Sequence, residues 1–230
     1  QVNIYGNHVG SWNFAATAYL NRWKVKIYYE HYFDDHSQMF FQYGRWKDGH
    51  IGLEITFPKN RFIDTFVYEG LGTKDQTGPM LYDSFWGKFE EQISAKDNYY
   101  NHYLYQGWQH WGMGIGNPLL PGPIYNKNGQ ITFISNRVLA HHIGFCGSPC
   151  QSLSYRMLLS YSRHWGTYDN PLNEIKKQFN SLFEVTYAPQ QLKGWSFTVS
   201  GAMDRGSILG NNYGGMLVIR KQGIIKSGNK

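Results

Sequence analysis

The sequence predicts an all-β protein: a transmembrane antiparallel β-barrel of about nine strands with long extracellular loops. Three observations lead to this prediction. Apolar and polar residues alternate with a period of two through much of the chain, which is typical of strands with two different faces. Several alternating stretches run for about ten residues, the length that a tilted strand needs to cross a bilayer. Short and long connections alternate between them, as in barrels with tight periplasmic turns and long outer loops.

The clearest alternation lies in residues 179–205, FNSLFEVTYAPQQLKGWSFTVSGAMDR. In its second arm Trp195, Phe197 and Val199 alternate with serine and threonine residues, so one face is apolar and the other is small and polar. Pro189 and Gly194 supply the turn between the arms. The stretch is therefore predicted to be an antiparallel hairpin.

The remaining predicted strands follow the same pattern along the chain. In order they are residues 13–20, 24–30, 51–57, 62–69, 131–145, 153–162 and 215–225. Their short turns lie near Trp23, Lys59, Pro149 and Gln190, and their long connections near Phe40, Tyr100, Asn170 and Gly210. Aromatic residues gather at the short-turn end, as in a membrane-interface girdle: Trp23, Phe57, Phe62, Tyr187 and Trp195.

Two of the four long connections, those near Tyr100 and Asn170, carry most of the binding candidates. Residues 70–130 form a long extracellular or lumen-plugging loop, in which residues 84–93 show the spacing of one short helix. Residues 164–178 form a second, polar loop. We expect such loops to carry binding residues.

Composition excludes several other classes of protein. No run of about eighteen apolar residues is present, so a transmembrane helix is not predicted. The net charge of +6 favours acidic partners, but the 22 basic residues are scattered, which argues against nucleic-acid binding. No cofactor or metal site is predicted. Cys146 and Cys150 bracket a predicted Gly-Ser-Pro turn and could form a disulfide in an oxidising compartment.

Residues 1–230 are interpreted as a single barrel domain or as the C-terminal part of one. About nine strands is an odd number, whereas single-chain bacterial barrels have even numbers, and the first strand would begin at the outer surface. Both features favour part of a larger barrel. A soluble β-sandwich or propeller would also alternate and is the competing fold.

Four stretches carry a resemblance to a known family. They are YEHYFDDHS at 29–37, TKDQTGP at 73–79, GWQHWG at 107–112 with GNPLL at 116–120, and MDRGS at 203–207. Together they resemble the Wzi-type capsule-assembly family of outer-membrane barrels. The resemblance implies the outer membrane of a Gram-negative bacterium, a barrel of roughly eighteen strands of which this chain would be the C-terminal half, and lectin-like binding of capsular polysaccharide without catalysis. The partners would be a surface polysaccharide, outer-membrane lipids and a larger outer-membrane complex.

Sugar binding needs aromatic faces and planar polar groups, and acidic sugars also favour cations. Candidates in the predicted outer loops are Asp34, His36, Lys74, Trp108, His110, Trp111, Trp165 and Tyr168. On the polar faces of the strands, Glu30, Glu54, Arg156 and Glu184 are predicted to point into the lumen. The competing interpretation is that the aromatic residues pack the long loop into the barrel and that the charges pair with one another.

Two other functions stay open at this level. A passive porin would have an open lumen, against which the long central loop argues. A barrel hydrolase could use Asp34, Asp35 and His36, provided that a second couple such as His164 and Asp169 lay across the cleft. His36 and Ser37 are adjacent in a loop, which is a poor geometry for a phospholipase couple.

Overall fold

The computed structural model describes residues 10–33, 48–60, 62–79, 94–96, 98–102 and 108–223 of the 230-residue chain. Nine long strands form one antiparallel sheet in the order β1-β2-β3-β4-β9-β10-β11-β12-β13, with β1 and β13 at its edges. They are β1 (Gly10–Leu20), β2 (Trp23–Phe33), β3 (Gly49–Thr56), β4 (Thr65–Gly72), β9 (Val138–Cys150), β10 (Leu153–Gly166), β11 (Pro171–Tyr187), β12 (Trp195–Gly206) and β13 (Asn212–Lys221). The prediction of an all-β protein with one large antiparallel sheet is confirmed.

Short elements lie within the connection between β4 and β9. Two small hairpins pair β5 (Thr77–Pro79) with β6 (Ser94–Lys96) and β7 (Gln109–His110) with β8 (Met113–Gly114), and a 3-10 turn spans Pro123–Tyr125. Among the described residues, none of the helical segments has the length and apolar character needed to span a bilayer. The helix expected at 84–93 falls outside the described residues.

The sheet has two chemically different faces, because directly paired residues project on the same side. The first, called the apolar face, leaves large side chains exposed: Phe14, Ile27, Ile51, Ile143, Phe183, Val199 and Leu217. The second, called the polar face, carries a row of polar side chains from β2 to β12: Glu30, His50, Glu69, His142, Ser160, Asn180 and Asp204. Period-two alternation in each strand produces this separation.

The two ends of the sheet also differ. At the turn end, β1–β2, β3–β4, β9–β10 and β11–β12 are joined, and the rings of Trp23 and Phe57 lie 5.0 Å apart there. At the loop end, the described residues of the connection between β4 and β9 fold back against the polar face. Their side chains complete a small core of Leu71, Leu120, Phe133, Val138 and Ala140.

The predicted loop at 164–178 is wrong. β10 continues to Gly166, β11 begins at Pro171, and the connection has only four residues. Gly166 has a φ of 82°, a left-handed conformation suited to glycine, and it allows this tight reversal. The predicted loop is therefore strand in all but these four residues, with an irregular register between His164 and Gly166.

The predicted turn and disulfide at Cys146 and Cys150 are also wrong. Both cysteines are free and lie on β9, while the reversal is at Gln151 and Ser152. Four residues along a strand separate two Cα atoms by roughly 10–13 Å. A disulfide needs a separation below about 7 Å, so extended backbone prevents the bond.

Candidate functional site

A polar cluster occupies the polar face near the loop end of β2, β3 and β4. His50 lies between two carboxylates: its Nδ1 is 3.5 Å from Glu30 Oε2 and its Nε2 is 3.5 Å from Glu69 Oε1. Ser11 Oγ donates to Glu30 Oε1 at 2.7 Å, and the Tyr28 hydroxyl donates to Glu69. All three central side chains are between 21% and 28% exposed, so the cluster is accessible but shielded.

The cluster continues across two further strands. Glu69 pairs with His142, and His142 pairs with Ser160 in the register of the sheet. His142 Nδ1 lies 2.6 Å from Ser160 Oγ, a strong hydrogen bond. Six neighbouring strands, β1 to β4, β9 and β10, thus contribute hydrogen-bonding groups to one surface.

The described residues of the long connection lie over part of this surface and, together with it, line a half-open cavity of about 600 Å³. The polar cluster forms its floor together with Tyr32 and Leu71 of the sheet, and residues of the long connection form its walls: Tyr100, Trp108, Ile115, Pro118 and Leu119. Asn117 adds an amide at the rim of the wall. A concave, mainly apolar pocket with a few convergent polar groups is the usual form of a small-ligand site, and its volume lies within the usual range.

The cover is fastened to the sheet by a buried carboxylate. Asp48 is 2% exposed and accepts hydrogen bonds from the backbone N–H groups of Asp75 at 2.9 Å and Gln76 at 2.5 Å, and from the Tyr99 hydroxyl at 3.0 Å. Burial raises the pKa of Asp48, and these three hydrogen bonds act in the opposite direction.

Amide side chains complete this attachment. Asn136 Nδ2 donates to Asn98 Oδ1 and to the Tyr99 carbonyl, at 2.6 and 2.7 Å. Asn101 Nδ2 donates to the Phe133 carbonyl at 2.8 Å, and Asn101 Oδ1 accepts from the Phe133 backbone N–H at 2.9 Å. The loop is therefore held by specific polar contacts as well as by its apolar core.

The eight glycan candidates separate into groups. Trp108 lines the cavity, whereas His110 and 85%-exposed Trp111 lie on the β7–β8 hairpin, beside a separate open depression. Lys74, Trp165 and Tyr168 come together on the other side of the sheet. Asp34 and His36 fall outside the described residues, as do Asp35 and Ser37.

The four predicted lumen charges lie on the polar face. Glu30 belongs to the cavity floor. Glu54 pairs with Lys24 at 3.6 Å, and Arg156 pairs with Glu184 at 3.3 Å. The last three lie towards the turn end, away from the cavity.

Sequence reasoning missed four residues of the cavity floor, His50, Glu69, His142 and Ser160, and also Tyr28, which donates a hydrogen bond to Glu69. Tyr28 shares the alternation of Glu30, so its facing was available from the pattern. The other contacts depend on strand register, which alternation alone does not determine.

A substitution at Gly52 tests the packing of this floor. A Cβ at Gly52 would collide with the ring of Tyr28, so we expect Gly52→Val to displace that ring from Glu69 and to cost about 1–3 kcal/mol by overpacking. Denaturant unfolding of the purified protein in detergent measures this change.

Gly214→Val is the matched control, because Gly214 also lies on the polar face and has no atom within 4 Å of an added Cβ. Equal effects of the two substitutions would contradict the packing described for Tyr28.

Comparison with protein-family models, with curated proteins and with solved structures finds no significant match to this chain.

Proposed function

We propose that this chain is part of a bacterial outer-membrane β-barrel that binds a surface polysaccharide in the loop-covered cavity, without catalysing a reaction. The observation that carries the proposal is the construction of the cavity. The aromatic residues Tyr32, Tyr100 and Trp108 line it beside carboxylate, imidazole and hydroxyl groups. Rings suit the C–H faces of sugars, and the polar groups suit their hydroxyls.

The membrane part of the proposal is supported by the apolar face. Phe14, Ile27, Val199 and Leu217 are each more than half exposed, and they belong to strands at both sides of the sheet. A soluble protein rarely exposes so extended an apolar surface. A lipid environment would cover it, with the polar face turned to the lumen.

The resemblance to the Wzi-type family supports the same function. One of the four similar stretches, residues 107–112 with 116–120, contributes Trp108, Gly116, Asn117, Pro118 and Leu119 to the cavity. A capsule-like polysaccharide at the surface of a Gram-negative cell is therefore the proposed ligand.

The test is binding of purified polysaccharide to the full chain in detergent, with two tryptophan variants. We expect Trp108→Ala to weaken binding about tenfold or more, because it removes an aromatic wall of the cavity. Trp111→Ala should leave binding unchanged, because Trp111 lies outside the cavity and is 85% exposed.

An equal loss in both variants would place the ligand outside the cavity. Absence of saturable binding, together with ion conductance across a planar bilayer, would overturn the proposal in favour of a porin.

A hydrolase is the second candidate, and one observation favours it. Ser160 Oγ and His142 Nδ1 are 2.6 Å apart, the geometry of a nucleophile and its base. Glu69 would be the third member of a triad, but it is less suited to orient His142 because it already contacts Tyr28 and His50. Labelling of Ser160 by a fluorophosphonate, abolished in Ser160→Ala and His142→Gln, would favour catalysis over simple binding.

A further inference from the structure

Five cations lie on the apolar face at its loop end. They are Lys74, which follows β4, Arg137, which directly precedes β9, and Arg163, Lys177 and Arg205 in the neighbouring strands β10, β11 and β12. We call this group the cationic belt. The cations are far apart in the sequence, and only the pairing of the strands brings them together.

The register shows which way they face. Arg163 pairs with both Leu139 and Lys177, and Arg205 pairs with Phe179, whereas the intervening Ala140, Ser162 and Gln178 are buried on the polar face. Arg137 joins the same side through its backbone hydrogen bonds with Trp165 and Gly166. The belt therefore lies on the apolar face, between its exposed apolar side chains and the loop end, on the side of the sheet away from the cavity.

Aromatic rings hold three of these cations. Lys74 Nζ lies 4.8 Å and Arg163 Cζ 5.5 Å from the centre of the Trp165 ring, and Arg137 Cζ lies 3.7 Å from that of Tyr168. Such contacts orient a cation without neutralising it. Within the described part of the chain none of the five cations forms an ion pair with a carboxylate.

A depression in the apolar face begins immediately below Arg205. It has a volume of about 290 Å³, and its outward lining includes Met157, Phe183, Met203 and Tyr213 around Gly201. Gly201 leaves the groove open, because nothing lies within 4 Å of a Cβ at that position. An apolar groove below a row of cations suits a molecule with an acyl chain and an anionic head.

We infer that the cationic belt binds the phosphate groups of an acylated, phosphorylated glycolipid in the outer leaflet, with an acyl chain in the depression below Arg205. The inference rests on the membrane placement in the proposed function, but not on the polysaccharide. Guanidinium groups bind phosphate with paired hydrogen bonds, and tryptophan and tyrosine favour the level of the headgroups. An acidic polysaccharide would also be attracted by the positive charge, but it has no acyl chain to occupy the adjoining apolar groove.

The test uses the full chain reconstituted in liposomes and then extracted for native mass spectrometry. The probes are a phosphorylated acylated glucosamine disaccharide and its dephosphorylated form. We expect the unmodified chain to retain the phosphorylated form, and the triple variant Arg163→Gln, Lys177→Gln, Arg205→Gln to retain it roughly 100-fold less tightly, from the loss of three cations near the headgroups.

Lys193→Gln with Lys221→Gln is the control, because these cations lie at the turn end of the sheet. It should retain the phosphorylated lipid like the unmodified chain. Equal retention of both lipids, or equal retention by the triple variant, would overturn the inference, as would displacement of the lipid by an acidic polysaccharide that carries no acyl chain.

Flotation of the same liposomes tests membrane insertion separately from lipid recognition. If the chain does not float with the lipid, the proposed membrane placement is wrong and the lipid site falls with it. If the chain floats but does not discriminate between the two lipids, only the proposed lipid site is wrong.

Discussion

Replacement of Asp48 by alanine should release the connection that covers the cavity. The carboxylate accepts three hydrogen bonds in a site that is 2% exposed, so its removal leaves buried N–H and O–H donors without partners. We expect a loss of about 3–5 kcal/mol in the free energy that keeps the cover closed. Amide hydrogen exchange of residues 108–137 measures this free energy directly.

Asp169→Ala is the control for this prediction. Asp169 is an exposed carboxylate that also touches the cover, through a hydrogen bond from Asn98 Nδ2 at 3.1 Å. Its loss should change the same exchange by no more than about 0.5 kcal/mol. Similar exchange in both variants would mean that the cover is held by its apolar core and not by Asp48.

The attachment should also depend on pH. Burial places the pKa of Asp48 in the folded chain above its value in the unfolded chain. The stabilisation from this shift is therefore fully present below the unfolded pKa of about 4, and it is lost as the pH rises through the folded pKa. Asp48→Asn cannot titrate, so the difference in exchange between it and the unmodified chain should vary with pH across this window. A constant difference would contradict the assignment.

The strands themselves were predictable wherever one face is apolar and the other polar. The hairpin of β11 and β12 is an example, since Phe197 and Val199 alternate with Thr198 and Ser200 along β12. The pattern failed at 164–178 for a physical reason. The hairpin carries polar and charged residues on both faces around this stretch, including Lys177 and its partner Arg163 on the apolar side, so the alternation that marks a strand is lost.

The cavity was less predictable, because it depends on register and on how the long connection folds. Trp108 was a candidate from its residue type alone, and Glu30 from its facing. Nothing in the sequence indicated that Glu69 would lie opposite His142, or that His50 would lie between two carboxylates. The same limit applies to the cationic belt, whose members look scattered until the strands are paired.

Replacement of His50 should weaken polysaccharide binding, because this residue lies at the centre of the cavity floor. Its ring lies between Glu30 and Glu69, and both its nitrogens are within 3.5 Å of a carboxylate oxygen. His50→Gln removes the group that separates and orients the two carboxylates, which would then repel each other across the floor. We expect the affinity for polysaccharide to fall by about 10- to 100-fold, equivalent to about 1.4–2.8 kcal/mol.

The chain offers a matched histidine for this experiment. His141 lies on the apolar face, where its Nδ1 is 2.8 Å from the Tyr68 hydroxyl, and it has no part in the cavity. His141→Gln should therefore leave polysaccharide binding unchanged in the same assay. If the two substitutions reduced affinity equally, the loss would reflect general destabilisation of the sheet, whereas an effect confined to His50→Gln would connect the carboxylate–imidazole floor to the bound sugar.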